Sequence, residues 1–218
     1  MLMDVFECIR TRRSIRKYKD QQIPWHLVVE VLQSAKYAPF AGNILCCKLV
    51  VVKNEGKRKA IAEASGQQFW MQDAPIHIVV VGEPEKVERF YGTRGSRLYT
   101  IQGIAAAIEN MLLTAHSLEL GSCWVGAFDE EEIRNICNLP EHVNVQAIIT
   151  LGYADESPVP PPKYRIEHYM FFEKWWGRIE GPKTGIGMWS PYVKKTVDET
   201  KKKIKKAVHK IKEKIKKK

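Results

Sequence analysis

Residues 76–81 read Ile-His-Ile-Val-Val-Val, an almost unbroken run of β-branched aliphatics. Branching at Cβ suits the pleated surface of a strand, and a run with no polar face belongs in the centre of a sheet, covered on both sides. The rest of the chain must therefore bring apolar layers to this strand. From Tyr99 to Leu118, Ile101, Ile104, Ala105, Ile108, Leu112 and Ala115 recur at helical spacing, which predicts the longest and most buried helix. Cys47–Lys53, Cys123–Val125 and Val145–Gly152 read as further strands.

Asp4 opens an amphipathic segment with Val5, Phe6 and Ile9 on one face, ending in Arg12-Arg13-Ser14-Ile15-Arg16. Pro24 stands where a second helix starts, and Pro39 ends its pattern. Lys57–Ser65 reads as a helix, and Asp129 is placed to cap another over Glu130–Cys137. Pro158–Pro162 reads as a stiff extended linker. Four or so short strands mixed with helices, without the strand-helix alternation and GxGxxG turn of a dinucleotide-binding fold, make the chain α+β.

With 218 residues, 44% of them hydrophobic, the chain has room for one full domain. Its formal charge of +10 misleads, because from Lys194 onward 13 lysines face only Asp198, Glu199 and Glu213, and the body is neutral. The five cysteines form no CxxC pair, against a disulfide framework or a zinc site, and a reducing, cytosolic setting fits. No stretch approaches the roughly 18 apolar residues of a membrane span, and the first residues lack the basic start of an export signal. The six histidines show no ligand spacing, and no metal site is expected. His77, inside its strand, is expected to be a satisfied core residue. Cys46-Cys47 reads as packing, and Trp70, Trp175, Trp176 and Trp189 as core or dimer contacts.

Three places look built to hold one phosphorylated planar ligand. In Arg12-Arg13-Ser14-Ile15-Arg16, guanidinium forks can grip phosphate oxygens, although a basic cluster at a helix end also suits a solvated surface. Lys163-Tyr164-Arg165 follows the prolines and reads equally as a second grip or a surface pair. The loops Ala38–Asn43 and Trp124–Asp129 carry small residues that let a ring approach the backbone, or that simply turn the chain.

The ordered set resembles the nitroreductase family over roughly the first four fifths of the chain: Arg12–Tyr18, Ala38–Asn43, Gln72-Asp73-Ala74-Pro75, Ile101–Ala115, Leu120–Phe128, Leu151-Gly152-Tyr153, Pro162–Arg165 and Glu173-Lys174-Trp175. The resemblance implies an α+β nitroreductase-like fold, a mixed or antiparallel central sheet flanked by helices, over residues 1–180. Residues 181–218 would be an extension. It implies a homodimer with an exchanged C-terminal segment and two FMN sites at the subunit interface.

By the same resemblance Arg12, Arg13, Ser14 and Arg16 would hold the phosphate, ribityl chain and pyrimidine edge, with Lys163 and Arg165 completing the phosphate grip. Pro39, Phe40, Ala41, Gly42 and Asn43 would come from the partner subunit to line the ring, and Val125, Gly126 and Ala127 would face N5. Gln67 or Gln68 would meet the pyrimidine side, Gln68 being the preferred of the two. Two positions depart from the family: Glu119, where glycine is usual, and Gly103, where an acidic residue is common. Phe90–Gly95 lies where relatives vary their substrate cover.

The implied chemistry needs no catalytic side chain: NADH or NADPH gives hydride to FMN at N5, and a nitro, quinone or similar small-molecule acceptor then takes it in a ping-pong cycle. Dehalogenation, ring oxidation, or a non-catalytic, membrane-tethered flavin-binding adaptor are the alternatives. In the tail, Val197, Ile204, Val208, Ile211 and Ile215 make a narrow stripe on a Lys-rich helix. Such a helix can dock on its own dimer, lie peripherally on an anionic membrane, or grip nucleic acid; the absence of interleaved aromatics argues against the last.

Overall fold

The computed structural model describes residues 3–177. The chain divides between Pro160 and Pro161, inside the proline linker. Six helices lie in the first unit: α1 (Val5–Thr11), α2 (Trp25–Ser34), α3 (Glu55–Ala64), α4 (Pro84–Arg94), α5 (Thr100–Ser117) and α6 (Glu130–Cys137). Four strands, β1 (Cys47–Val52), β2 (Ile76–Gly82), β3 (Gly121–Val125) and β4 (Asn144–Gly152), form one sheet in the order β1-β2-β4-β3. All three pairings are antiparallel. The expectation of a mixed or antiparallel sheet thus resolves to antiparallel.

Strand β2 is interior and buried along its whole length. Its side chains alternate between two cores. Ile76, Ile78 and Val80 pack with α2 and α5 residues such as Val28, Val31, Ile104, Ile108 and Met111. Val79 and Val81 pack on the other face with Ile61 of α3 and Ile133 of α6. Helices on both faces of an antiparallel sheet explain why the run 76–81 has no polar side. Opposite the step from Val80 to Val81, β4 carries one extra residue, Gln146.

The helix ends follow capping chemistry. Asn54 accepts from the Lys57 amide and Asp129 from the Glu132 amide, each at 2.9 Å. Pro24 caps α2, as the sequence suggested. Helix α4 was not anticipated; it begins with Pro84 in its first turn, bends at Gly92 (φ 57°), and leads through a π turn at Gly95–Tyr99 into α5.

On α1 the apolar face read from the sequence is exposed: Phe6 is 64% exposed, with Val5 and Ile9 beside it, while Cys8 points inward. All five cysteines are free thiols, Cys46 and Cys47 among the buried ones. Among the described residues no helix is long and apolar enough to cross a membrane. In the second unit a 3₁₀ turn spans Ile166–His168, and the Phe171 ring lies 4.8 Å from that of Trp175 and 4.9 Å from that of Trp176. Trp175 and Trp176 are largely exposed, so neither is a core residue among the described residues. The striped Lys-rich helix and Trp189 lie outside the described residues.

Candidate functional site

The arginine-bearing segment after α1 is an extended strip laid across the end of β3 and β4. Ser14 bridges Ser122, the Ile15 amide donates to the Ser122 carbonyl at 3.0 Å, and Tyr18 bridges Ala154. Ile15 and Tyr18 are its buried anchors. The Tyr18 hydroxyl donates to the Ile15 carbonyl at 2.6 Å and accepts from the Thr150 hydroxyl at 2.7 Å. Burial raises that hydroxyl well above its usual range, which keeps it a donor.

Two glycines make room for the anchors. Gly121 and Gly152 are direct cross-strand partners. A Cβ on Gly121 would lie 3.0 Å from Ile15, and one on Gly152 would lie 2.6 Å from the Tyr18 ring and 2.8 Å from Pro75. The notch therefore needs both residues to lack a side chain.

With Ile15 and Tyr18 turned in, the basic residues remain available. Arg12 reaches Glu109 of α5 at 3.6 Å. Arg13 donates from Nη1 to the carbonyls of Arg10 and Arg12, while its buried Nε has no acceptor among the described residues. The Arg16 side chain is exposed, its guanidinium 5.8 Å from the centre of the Trp70 ring, and its amide donates to the Glu156 carboxylate at 2.5 Å. A buried donor lacking an acceptor, beside an exposed guanidinium, fits an anionic ligand better than a purely solvated cluster.

The second element is the loop after β3. Val125 is buried, but Gly126 and Ala127 are exposed, and a Cβ on Gly126 would meet only Trp124 Nε1, at 3.8 Å. Gln68 Nε2 donates to the Ser65 carbonyl at 2.7 Å and to the Ala127 carbonyl at 3.4 Å. Gln67, the other candidate, has a left-handed backbone (φ 58°). One turn, 68–73, thus carries both Gln68 against the Gly126-Ala127 loop and Trp70 beneath Arg16.

The Nitroreductase family model matches residues 9–70 and 64–153, which together hold the arginine strip, the glycine notch, the turn 68–73 and the Gly126-Ala127 loop. The chain belongs to the nitroreductase family. It is 36% identical over 162 residues to a Methanothermobacter thermautotrophicus protein provisionally named as an NADH dehydrogenase/NAD(P)H nitroreductase, covering 72% of this chain and 80% of the relative. Among solved structures it is similar to an FMN-dependent nitroreductase from Clostridium difficile, with 25% identity, TM-score 0.67, and 77% of this chain and 98% of the other covered. The fold also matches the NADPH:FMN oxidoreductase of Vibrio harveyi, solved with NAD+, at TM-score 0.72 and 21% identity over 78% of this chain and 77% of that one.

In this member of the family the loop Pro39–Asn43 is arranged within its own chain. Phe40 is buried, and a Cβ on Gly103 of α5 would lie 2.7 Å from its ring. Gly42 and Asn43 both have left-handed backbones (φ 58° and 56°), and the Tyr91 hydroxyl lies against Gly42. Pro39, Ala41, Gly42 and Asn43 make the rest of the loop, of which Pro39, Gly42 and Asn43 are exposed. Lys163 and Arg165 belong to the second unit, where both are exposed and Arg165 Nε lies 3.4 Å from Glu167.

Of the residues that support the site, the sequence did not single out Thr150, Glu156 or Arg58, and it offered His77 only as a satisfied core residue. Thr150 and Glu156 hold the strip, and Arg58 and His77 hold the turn 68–74. Side-chain bonds of this kind leave no periodicity. His77 is only half satisfied: Nε2 donates to the Met71 carbonyl at 2.8 Å, while Nδ1 has no partner among the described residues.

Proposed function

We propose that this chain is an FMN-dependent NAD(P)H oxidoreductase that works as a homodimer and reduces a small nitro, quinone or similar acceptor. The observation that carries the reading is the turn 68–73, whose Gln68 touches the Gly126-Ala127 loop and whose Trp70 underlies Arg16 of the basic strip. An anion grip and an exposed, side-chain-poor backbone joined by one turn suit a ligand that is phosphate at one end and a flat ring at the other.

Bound FMN supplies the hydride carrier, at N5, that no side chain of the strip or loop provides. Arg12, Arg13, Ser14 and Arg16 hold the phosphate, ribityl chain and pyrimidine edge, and Lys163 and Arg165 complete the grip. Val125, Gly126 and Ala127 give the ring a backbone surface with exposed amides, which favours negative charge developing on the ring. Gln68 orients the pyrimidine side. Pro39, Phe40, Ala41, Gly42 and Asn43 close the site from the partner subunit, and the exposed face of Val5, Phe6 and Ile9 is surface that a dimer covers. NAD(P)H and the acceptor use the same open face in turn, a ping-pong order. The Lys-rich tail adds an electrostatic contact with anionic membrane, checked by salt-sensitive cosedimentation with vesicles.

The test is an absorbance spectrum of the purified protein before and after anaerobic NADH or NADPH. A flavin spectrum that bleaches with either nucleotide supports the reading. Protein that stays colourless after FMN is added overturns it, and flavin that binds but never bleaches leaves a binding protein without turnover.

A further inference from the structure

The turn 68–74 is clamped from beneath by donors from two different elements. His77, on β2, is fully buried and donates from Nε2 to the Met71 carbonyl at 2.8 Å. Arg58, on α3, donates from Nη1 to the carbonyls of Gln72 and Ala74, the second at 2.6 Å, and from Nε to the Lys53 carbonyl at 3.3 Å. Met71 itself is fully buried in the α3–α6 core. Three carbonyls of a short turn, those of Met71, Gln72 and Ala74, are thus held by donors outside it, and the same turn carries Gln68 to Ala127 and Trp70 to Arg16. Neither donor touches the strip or the loop in the bonds described.

A polar residue in the middle of the most apolar strand is costly unless it has a task. A well-packed leucine would fill the place of His77 without leaving Nδ1 orphaned. Because the acceptor is a carbonyl, Nε2 must carry the proton and Nδ1 must be bare. Burial, with Arg58 adding a smaller repulsion, pulls the imidazole down to about 4, so it is neutral near pH 7 and keeps that single-donor form.

We propose that His77 and Arg58 are positioning residues for the flavin site, holding the turn 68–74 at the height where Gln68 meets the Gly126-Ala127 loop and Trp70 supports Arg16. The inference rests on the flavin reading above. It assigns no contact between either residue and the flavin: removing the clamp loosens the turn, and the turn carries the loss to the ligand.

The experiment compares FMN affinity, by quenching of flavin fluorescence, with amide exchange at Trp70–Ala74 in the full chain. His77→Leu removes the donor at similar volume, His77→Gln keeps an N–H, and Arg58→Met removes the second donor from a half-buried site that tolerates an unbranched apolar chain. Val79→Ala, on the same strand and in the same core as Met71 but bonded to no carbonyl of the turn, is the control for lost packing and stability alone. The expected result is an FMN Kd raised at least tenfold in His77→Leu and at least threefold in Arg58→Met, with exchange at the turn faster in both. His77→Gln recovers most of the affinity, and Val79→Ala stays within twofold of the parent. If His77→Leu does not fold, Arg58→Met decides alone. Uptake by the parent with the same Kd in the clamp variants, or an equal loss in Val79→Ala, overturns the clamp and leaves the flavin reading standing. A parent chain that takes up no FMN overturns the flavin reading, and the assigned role with it.

Discussion

The ring of Phe40 rests on Gly103, so closely that a Cβ on the glycine would lie 2.7 Å from the ring edge. Gly103 is one of the two departures from the family pattern, and the contact supplies its reason. Gly103→Ala is expected to cost about 1–3 kcal/mol through overpacking, and Gly103→Glu more, because a charge would be forced beneath a buried ring. Urea unfolding measures both. A neutral Gly103→Ala would mean that Phe40 swings away at little cost.

The other departure, Glu119, points the opposite way. It follows α5 with a left-handed backbone (φ 62°), its amide bonding to the His116 carbonyl at 3.0 Å and the next amide, of Leu120, to that of Ala115 at 2.9 Å. This is the paired closure of a helix end in which glycine is favoured, since a Cβ in that conformation costs about 1–2 kcal/mol. Glu119→Gly should therefore stabilise the chain by about 1 kcal/mol, read as a rise in Tm. No change or a fall would show that Glu119 makes a compensating interaction.

Tyr18→Phe removes one hydroxyl and leaves both the Ile15 carbonyl and the Thr150 hydroxyl short of a partner inside the sheet end. The expected loss is about 1–3 kcal/mol. Because Tyr18 anchors the strip, FMN affinity should weaken as well. Double-mutant analysis with Thr150→Val checks the pairing: the two losses should fall short of adding.

His77 makes stability depend on pH in a direction that follows from its sign. Its folded value of about 4 lies below the ordinary 6.5, so between those values the unfolded chain binds the proton and the folded chain does not. The stabilisation is complete above about pH 6.5 and is lost as pH falls towards 4, a total of about 3 kcal/mol. In denaturant titrations from pH 7 to 4, His77→Gln should flatten that part of the slope. An unchanged slope would place the titration elsewhere.

The parts of the fold visible in sequence are those whose cause is local or periodic. The β-branched run of β2, the spacing of α5 and the caps at Asp129 and Pro24 all lie where their residues predict. Helix α4 was hidden because a glycine bend and a π turn join it to α5, breaking the 3.6-residue pattern. Val5, Phe6 and Ile9 form the apolar face that was read, yet a periodic face does not say what covers it, and the rest of the described chain leaves them exposed. In the site, the Arg12–Arg16 strip was legible from charge and resemblance. The glycine notch and the Tyr18–Thr150 pair were not, because each joins residues far apart in the chain, and the carbonyl clamp was not, because side-chain bonds to turn carbonyls leave no periodic pattern.

The notch formed by Gly121 and Gly152 exists only when β3 and β4 are paired in register, for it is two facing gaps on different strands. The arginine strip has no seat before then, and the bond that locks it spans 132 residues of chain. Contacts of such separation form late, because the entropy of closing the intervening loop is lost before they can contribute. A chain still emerging or half folded thus presents loose arginines but no seated strip, and on the proposed reading capture of FMN would report that the sheet is already complete.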